Sequence, residues 1–181
     1  MARFTDRPEF SVPMSRRDHV QGTSDAVVTL VKYGDYECSR CAAAYMMVKD
    51  AQRLLGSQLR FVFRHFPLRE VHPRAQYAAE AAEAASAQGR FWEMHEILFE
   101  HQHALRARHL RDYAAAVGLD ALRFDYELAA HVYAKRVRHD ALSGSRSGVD
   151  ATPTFFINGV RHDRLWDVAG LMQVLRPLVA A

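Results

Sequence analysis

The 181 residues carry 24 Lys and Arg against 21 Asp and Glu, a net charge of +3 with neutral histidine, and are 49% apolar and 25% charged. This is an ordinary globular composition, long enough for one core or one domain with a sizeable insertion, and it excludes a disordered or disulfide-rich chain. The basic residues are scattered: the densest run, Arg106 to Arg111, reads as a solvated helix face, so nucleic acid is not an expected partner. No stretch approaches the roughly 20 apolar residues of a membrane span, so no membrane association is expected. Arg3, Asp6, Arg7 and Glu9 interrupt any apolar signal segment, and the expected location is the cytoplasm.

Residues 1–25 hold Pro8, Pro13 and Gly22 without a sustained period and read as an extended arm. Val27 to Tyr33 is β-branched and apolar except for Lys32, as expected of a strand buried on both faces. After Gly34, the apolar residues Tyr45, Val48 and Leu55 recur at helical spacing, with Gly56 as the stop, so Cys38 and Cys41 fall at a helix N-terminus. Leu59 to Phe66 is a second strand, alternating large apolar residues with Arg60, Val62 and Arg64 and ended by Pro67. Strand, helix and strand predict a right-handed crossover.

From His72 to Gly148 the pattern is helical throughout. Arg74 to Gln88 is closed by Gly89, Phe91 to His103 follows, and Leu110 to Val117 is closed by Gly118. Asp120 caps a helix to about Ala130, and a further one runs towards Ser147. Thr154 to Ile157 and the residues from Val160 flank Asn158-Gly159, a type I′ hairpin signal. Leu165, Val168, Leu171, Met172 and Leu175 mark a closing helix that Pro177 is expected to end.

Cys38 and Cys41 are the only cysteines. A disulfide framework is therefore excluded, and the spacing points to redox or metal chemistry. At a helix start the unpaired N–H groups and the positive dipole end favour a thiolate, so Cys38 is the expected nucleophile. Cys41, nearly one turn on, is the expected resolving thiol. A structural zinc needs four ligands and no second cysteine pair exists, so no metal is assigned. Nor is a cofactor. His65 and His72 leave the second strand and could approach the pair, but each reads as a structural residue. The rings of His101 and His103, two positions apart, would diverge on a helix. Phe91, Trp92, Phe99 and Tyr113 read as core.

The segment Val28 to Cys41, with Tyr33-Gly34-Asp35-Tyr36-Glu37-Cys38-Ser39-Arg40-Cys41 at its end, resembles the DsbA-like branch of thioredoxin-fold proteins. So do Phe61 to Leu68 and Gly148 to Gly159, and the resemblance covers roughly Val27 to Leu175. It implies an α/β thioredoxin fold with a mainly α-helical insertion between the second and third core strands. The corresponding division is 1–25 as arm, 26–69 with 149–181 as thioredoxin-fold domain, and 70–148 as insertion. It also implies that Pro153 is in cis beside the cysteines and that Thr152 presents its backbone to an incoming peptide.

Two positions depart from the family. A buried glutamate usually stands six positions before the first cysteine, where this chain has Lys32, and the inter-cysteine dipeptide is Ser39-Arg40. Lys32 and Arg40, if near Cys38, would stabilise its thiolate and make the disulfide more oxidising. Loss of the acid would remove a base for Cys41. The other reading of Lys32 is a side chain that extends to water. The expected function is exchange with protein or peptide thiols and disulfides, coupled to an unidentified redox partner. The alternatives are a partner-binding module with the pair as a redox latch and a glutathione-dependent isomerase of small aromatic molecules, whose relatives generally do not depend on such a pair.

Overall fold

The computed structural model describes residues 14–163 and 167–180. Its centre is the pair β2 (Val28–Gly34) and β3 (Leu59–His65), parallel from Val28 opposite Leu59 to Gly34 opposite His65 and joined through α1 (Ser39–Leu55). A single 3₁₀ turn, Gly56–Gln58, follows α1, and Gly56 stands at φ 54° as its stop. β4 (Thr154–Ile157) runs antiparallel to β2 and β5 (Val160–His162) antiparallel to β4. Asn158 and Gly159 between them have φ of 47° and 84°, the two positive values a type I′ turn requires.

The sheet order is β1-β3-β2-β4-β5, with β1 (His19–Gln21) antiparallel to β3 at one edge. Those three residues belong to the stretch expected to be an arm, and this part of the expectation is corrected. Three residues are too short a run to show a period, and pairing with β3 gives them their conformation. Residues 1–13 of the arm lie outside the described residues.

Five helices separate β3 from β4: α2 (Ala75–Ser86), α3 (Phe91–Glu100), α4 (Ala107–Ala116), α5 (Ala121–Ala129) and α6 (Ala134–Arg146). α3 ends three residues earlier than expected, so His101 and His103 lie beyond it; their rings are 6.4 Å apart. Asp120 caps α5 as expected, its side chain accepting from the Arg123 N–H at 3.0 Å. The insertion shares its core with the sheet. Val28, Leu30, Phe61 and Phe63 on one sheet face pack in one apolar cluster with Ala78, Ala82, Phe91, Met94 and Leu98. Each large side chain so buried contributes about 1.5–3 kcal/mol. α7 (Val168–Val179) closes this face, with Leu171 and Leu175 fully buried. It runs two residues past Pro177, which was expected to stop it: near a helix end a proline forfeits a single intrahelical bond, and the buried leucines precede it. Leu165 lies outside the described residues.

The opposite sheet face is covered too, and Arg64 is buried there. It is 2% exposed. Its guanidinium donates to both Asp18 carboxylate oxygens, at 2.8 and 2.9 Å, and to Tyr33 Oη at 3.1 Å and Ser143 Oγ at 3.3 Å. These partners come from the segment before β1, from β2 and from α6. Gly144 is required there because a Cβ would stand 2.8 Å from the Phe66 ring and 3.0 Å from Tyr33. Among the described residues, no helix is long and apolar enough to cross a membrane.

Candidate redox-active site

Cys38 is the N-cap residue of α1, with extended φ and ψ of −79° and 118°, and no side-chain cap occupies the helix end. The first-turn N–H groups are thus available to a charged sulfur. Cys38 is 7% exposed and Cys41 fully buried, so one sulfur of the pair can be reached and the other lies behind it. The Cys38 thiol points to the Thr152 carbonyl at 3.4 Å, and the Thr152–Pro153 peptide bond is cis. Thr152 and Pro153 therefore stand against Cys38 across 114 residues of sequence.

The Cys38 thiol is brought down to about 5. The largest cause is the hydrogen bond from the Cys41 thiol, which outweighs burial; Thr152 and the backbone N–H groups of Cys41 and Arg40 add to it. Thr152 Oγ1 is buried with no partner among the described residues, and a thiolate at Cys38 offers it an acceptor. Cys41 is pushed the other way, chiefly by burial and by its bond to Cys38. The pair is thus split into an ionised and a protonated sulfur at neutral pH, the arrangement needed for sequential attack. Titrating alkylation of Cys38 by iodoacetamide against pH should give a midpoint near 5. A midpoint above 7 contradicts the hydrogen-bond account.

Lys32 does not extend to water. It is 0% exposed, its Nζ donates to the Cys41 carbonyl at 3.1 Å, and it lies 4.4 Å from the Phe99 ring centroid. Burial lowers it to about 8, and it interacts with Cys41 more strongly than with Cys38. The expected target of this cation therefore shifts from the first sulfur to the second. The Arg40 side chain is exposed, and this residue reaches Cys38 through its backbone N–H.

Asp35, 2% exposed, fixes the turn that leads into α1. Its carboxylate accepts from the N–H groups of Glu37 (2.7 Å) and Leu68 (2.8 Å) and from His72 Nδ1 (2.9 Å), while its own N–H points to Cys41 Sγ at 3.5 Å. Gln102 holds the same turn from the insertion. Its Nε2 donates to the carbonyls of Tyr36 at 2.7 Å and Cys38 at 2.9 Å. Sequence reasoning missed both residues. Asp35 sits inside the quoted motif and could have been weighed as a turn acid, whereas nothing local to Gln102 marks it.

His65 and His72 are structural partners, as read. His65 and His19 both meet Glu83 Oε1 through Nε2, at 2.8 and 2.7 Å. The three donor atoms lie within 4.8 Å of one another, a spacing a metal ion could use. The Arg136 guanidinium, 3.8 Å from the same carboxylate oxygen, already places a cation beside it.

The family model described as Thioredoxin matches residues 14–176. The fold is similar to that of BdbD from Bacillus subtilis, with a TM-score of 0.84 at 22% identity over 98% of this chain and 100% of that one. A thioredoxin-like oxidoreductase from Silicibacter pomeroyi has a TM-score of 0.80, also at 22% identity, over 92% of this chain and 95% of that one. Among curated proteins, the Na(+)/H(+) antiporter NhaA 1 of Mycobacterium sp. (strain KMS) is 44% identical over 161 residues, 88% of this chain and 26% of the antiporter. The chain spans about a quarter of the length of the curated relatives it matches. With the family model covering nearly all of the described residues, and the DsbA-like architecture shared with solved structures, the chain belongs to the thioredoxin family.

Proposed function

We propose that this protein is a thiol–disulfide oxidoreductase acting on protein or peptide thiols and disulfides. The observation that carries the reading is the acidified Cys38 at the cap of α1, in hydrogen-bond contact with Cys41 and against Thr152. In the reducing direction the Cys38 thiolate attacks a substrate disulfide, forming a mixed disulfide and expelling one substrate thiolate. Cys41 then loses its proton and attacks Cys38 Sγ; the Cys38–Cys41 disulfide forms, and the second substrate thiolate leaves. Two electrons pass from the pair to the substrate, and oxidation of a substrate dithiol is the same path reversed.

Thr152 and Pro153 border the sulfur, so the substrate backbone lies across them. An open groove of about 730 Å³ is lined by Leu68, Arg69 and Val71 after β3 and by Asp150, two positions before Thr152. Val71, 67% exposed, offers a substrate segment an apolar contact there. Stabilisation of the dithiol form by an acidic Cys38 makes the disulfide an oxidant. Residence in the cytoplasm is part of the proposal, and the redox partner there sets the net direction.

The test is turnover. Catalysed reduction of insulin by dithiothreitol, or catalysed oxidative refolding of a reduced protein, is the expected result. Stoichiometric oxidation without turnover would favour the second reading, a redox latch on a binding module. That reading draws on the antiporter relatives, in which the matched segment is only 26% of the chain. Under it, the fold serves a membrane antiporter, and the purified domain binds the antiporter in one redox state only.

A further inference from the structure

Behind the cysteine pair, between α1, α3 and the sheet, lies a cavity of about 50 Å³. Lys32 is among its lining residues; so are Gln21, Gln52 and His95, and Lys49 and Glu96, each with a side chain 43% exposed, carry it to the surface. A space of this volume with several polar groups has room for water. Lys32 thus bonds the backbone carbonyl of Cys41 and also borders a polar passage leading away from the substrate face.

We propose that Lys32 is the proton acceptor for Cys41, and that this cavity is the route by which the proton reaches solvent. The inference rests on the exchange reaction proposed above. It takes up the role whose loss was expected when the family's acid was replaced.

While Cys38 is a thiolate, the buried ammonium has a neighbouring anion. Once substrate caps Cys38, that anion is gone, and a proton leaves Lys32 through the cavity. The neutral amine then takes the proton of the Cys41 thiol, and the new thiolate attacks Cys38 Sγ. When the Cys38–Cys41 bond has formed, Lys32 is again a buried cation with no anion beside it and releases its proton the same way. In this half-reaction Lys32 passes first its own proton and then the Cys41 proton to water, and reduction of the Cys38–Cys41 disulfide returns both.

The titratable groups facing this amine are Cys38, Cys41, Tyr45 and Lys49 from α1 and His95 and Glu96 from α3. His95 is held neutral by burial and by Lys32 itself, and its Nδ1 is engaged with Tyr36 Oη at 2.9 Å, so it does not compete as the base. Burial brings Lys32 to about 8, which leaves a usable fraction of neutral amine near pH 7.

The reduced full chain treated with 5,5′-dithiobis(2-nitrobenzoate) reports the two steps separately. Attack by Cys38 releases one thionitrobenzoate and resolution by Cys41 releases the second. Lys32→Met should slow the second release at least ten-fold at pH 7 and change the first by less than about three-fold, with Lys32→Glu restoring the second. A role in stability alone would not separate the two phases. A second release within two-fold of wild type in Lys32→Met overturns the inference. If Lys32→Met does not fold, the wild-type profile decides: a second phase with a midpoint below 8, as loss of the Cys38 anion requires, supports the assignment, and one that keeps rising with hydroxide overturns it. Failure of wild type to release a second thionitrobenzoate at all defeats the exchange reading itself.

Discussion

Cys38→Ser abolishes turnover, and Cys41→Ser stops the cycle one step later with the substrate still attached. The two outcomes differ because the sulfurs have different surroundings. At the helix cap Cys38 is ionised near neutral pH by the hydrogen bonds that converge on it, and a serine hydroxyl there stays protonated and does not attack a disulfide. Insulin reduction should fall to the uncatalysed rate, a loss of at least a thousand-fold. In Cys41→Ser the entry sulfur remains, with a serine hydroxyl in place of the Cys41 thiol to donate to it. Mixing this variant with a peptide disulfide should yield a stable one-to-one adduct whose mass is the sum of protein and a single peptide half. Adduct formation on Cys38→Ser in place of Cys41→Ser would reverse the assigned roles.

Glu83→Ala should be the most damaging substitution outside the cysteines, at about 3–5 kcal/mol, because it leaves buried partners of a charge network unpaired. Glu83 is 5% exposed and joins β1, β3 and α6: it accepts from His19 and His65, with Arg136 beside it. Burial alone would raise its carboxyl, but the bonds from His19 and His65 together hold it well below the ordinary carboxylate range. Its folded-state pKa is depressed, so its contribution is present above pH 4.5 and is lost as pH falls below that. His19 is lowered by burial in spite of Glu83, so its neutral form is favoured and protonation below pH 6.5 opposes folding. Both shifts act in the same direction. Urea unfolding should show stability declining from pH 6.5 downward, with the gap between wild type and Glu83→Ala narrowing once the pH falls well below 4.5. A loss under 1 kcal/mol at pH 7 would show that the cluster is not a stability element.

The sequence displayed the parts whose signal is local. A β-branched run before a C-x-x-C motif placed β2 and α1, glycines placed helix ends, and Asn158-Gly159 placed the β4–β5 hairpin. Thr152 and Pro153 reached the cysteines only through the family resemblance, since nothing in their own neighbourhood brings them to α1. What the sequence concealed has one physical cause: burial of polar groups by distant partners. Lys32 and Arg64 interrupt apolar strands, and for Lys32 a place near Cys38 and a side chain reaching water were both open. Their actual surroundings, the Phe99 ring and Cys41 for one and Asp18 with Ser143 for the other, come from segments 9 to 79 residues away. β1 stayed hidden for the same reason, as three residues whose conformation depends on β3.

The grip of Gln102 on the carbonyls of Tyr36 and Cys38 limits how this protein can be rebuilt. A chimera that exchanges the helical block for that of a relative would alter the catalytic turn unless an amide donor arrives at the same spot. The loop around Gly118, between α4 and α5, makes no bond to that turn. Length changes and grafted segments belong there, where the chemistry cannot feel them.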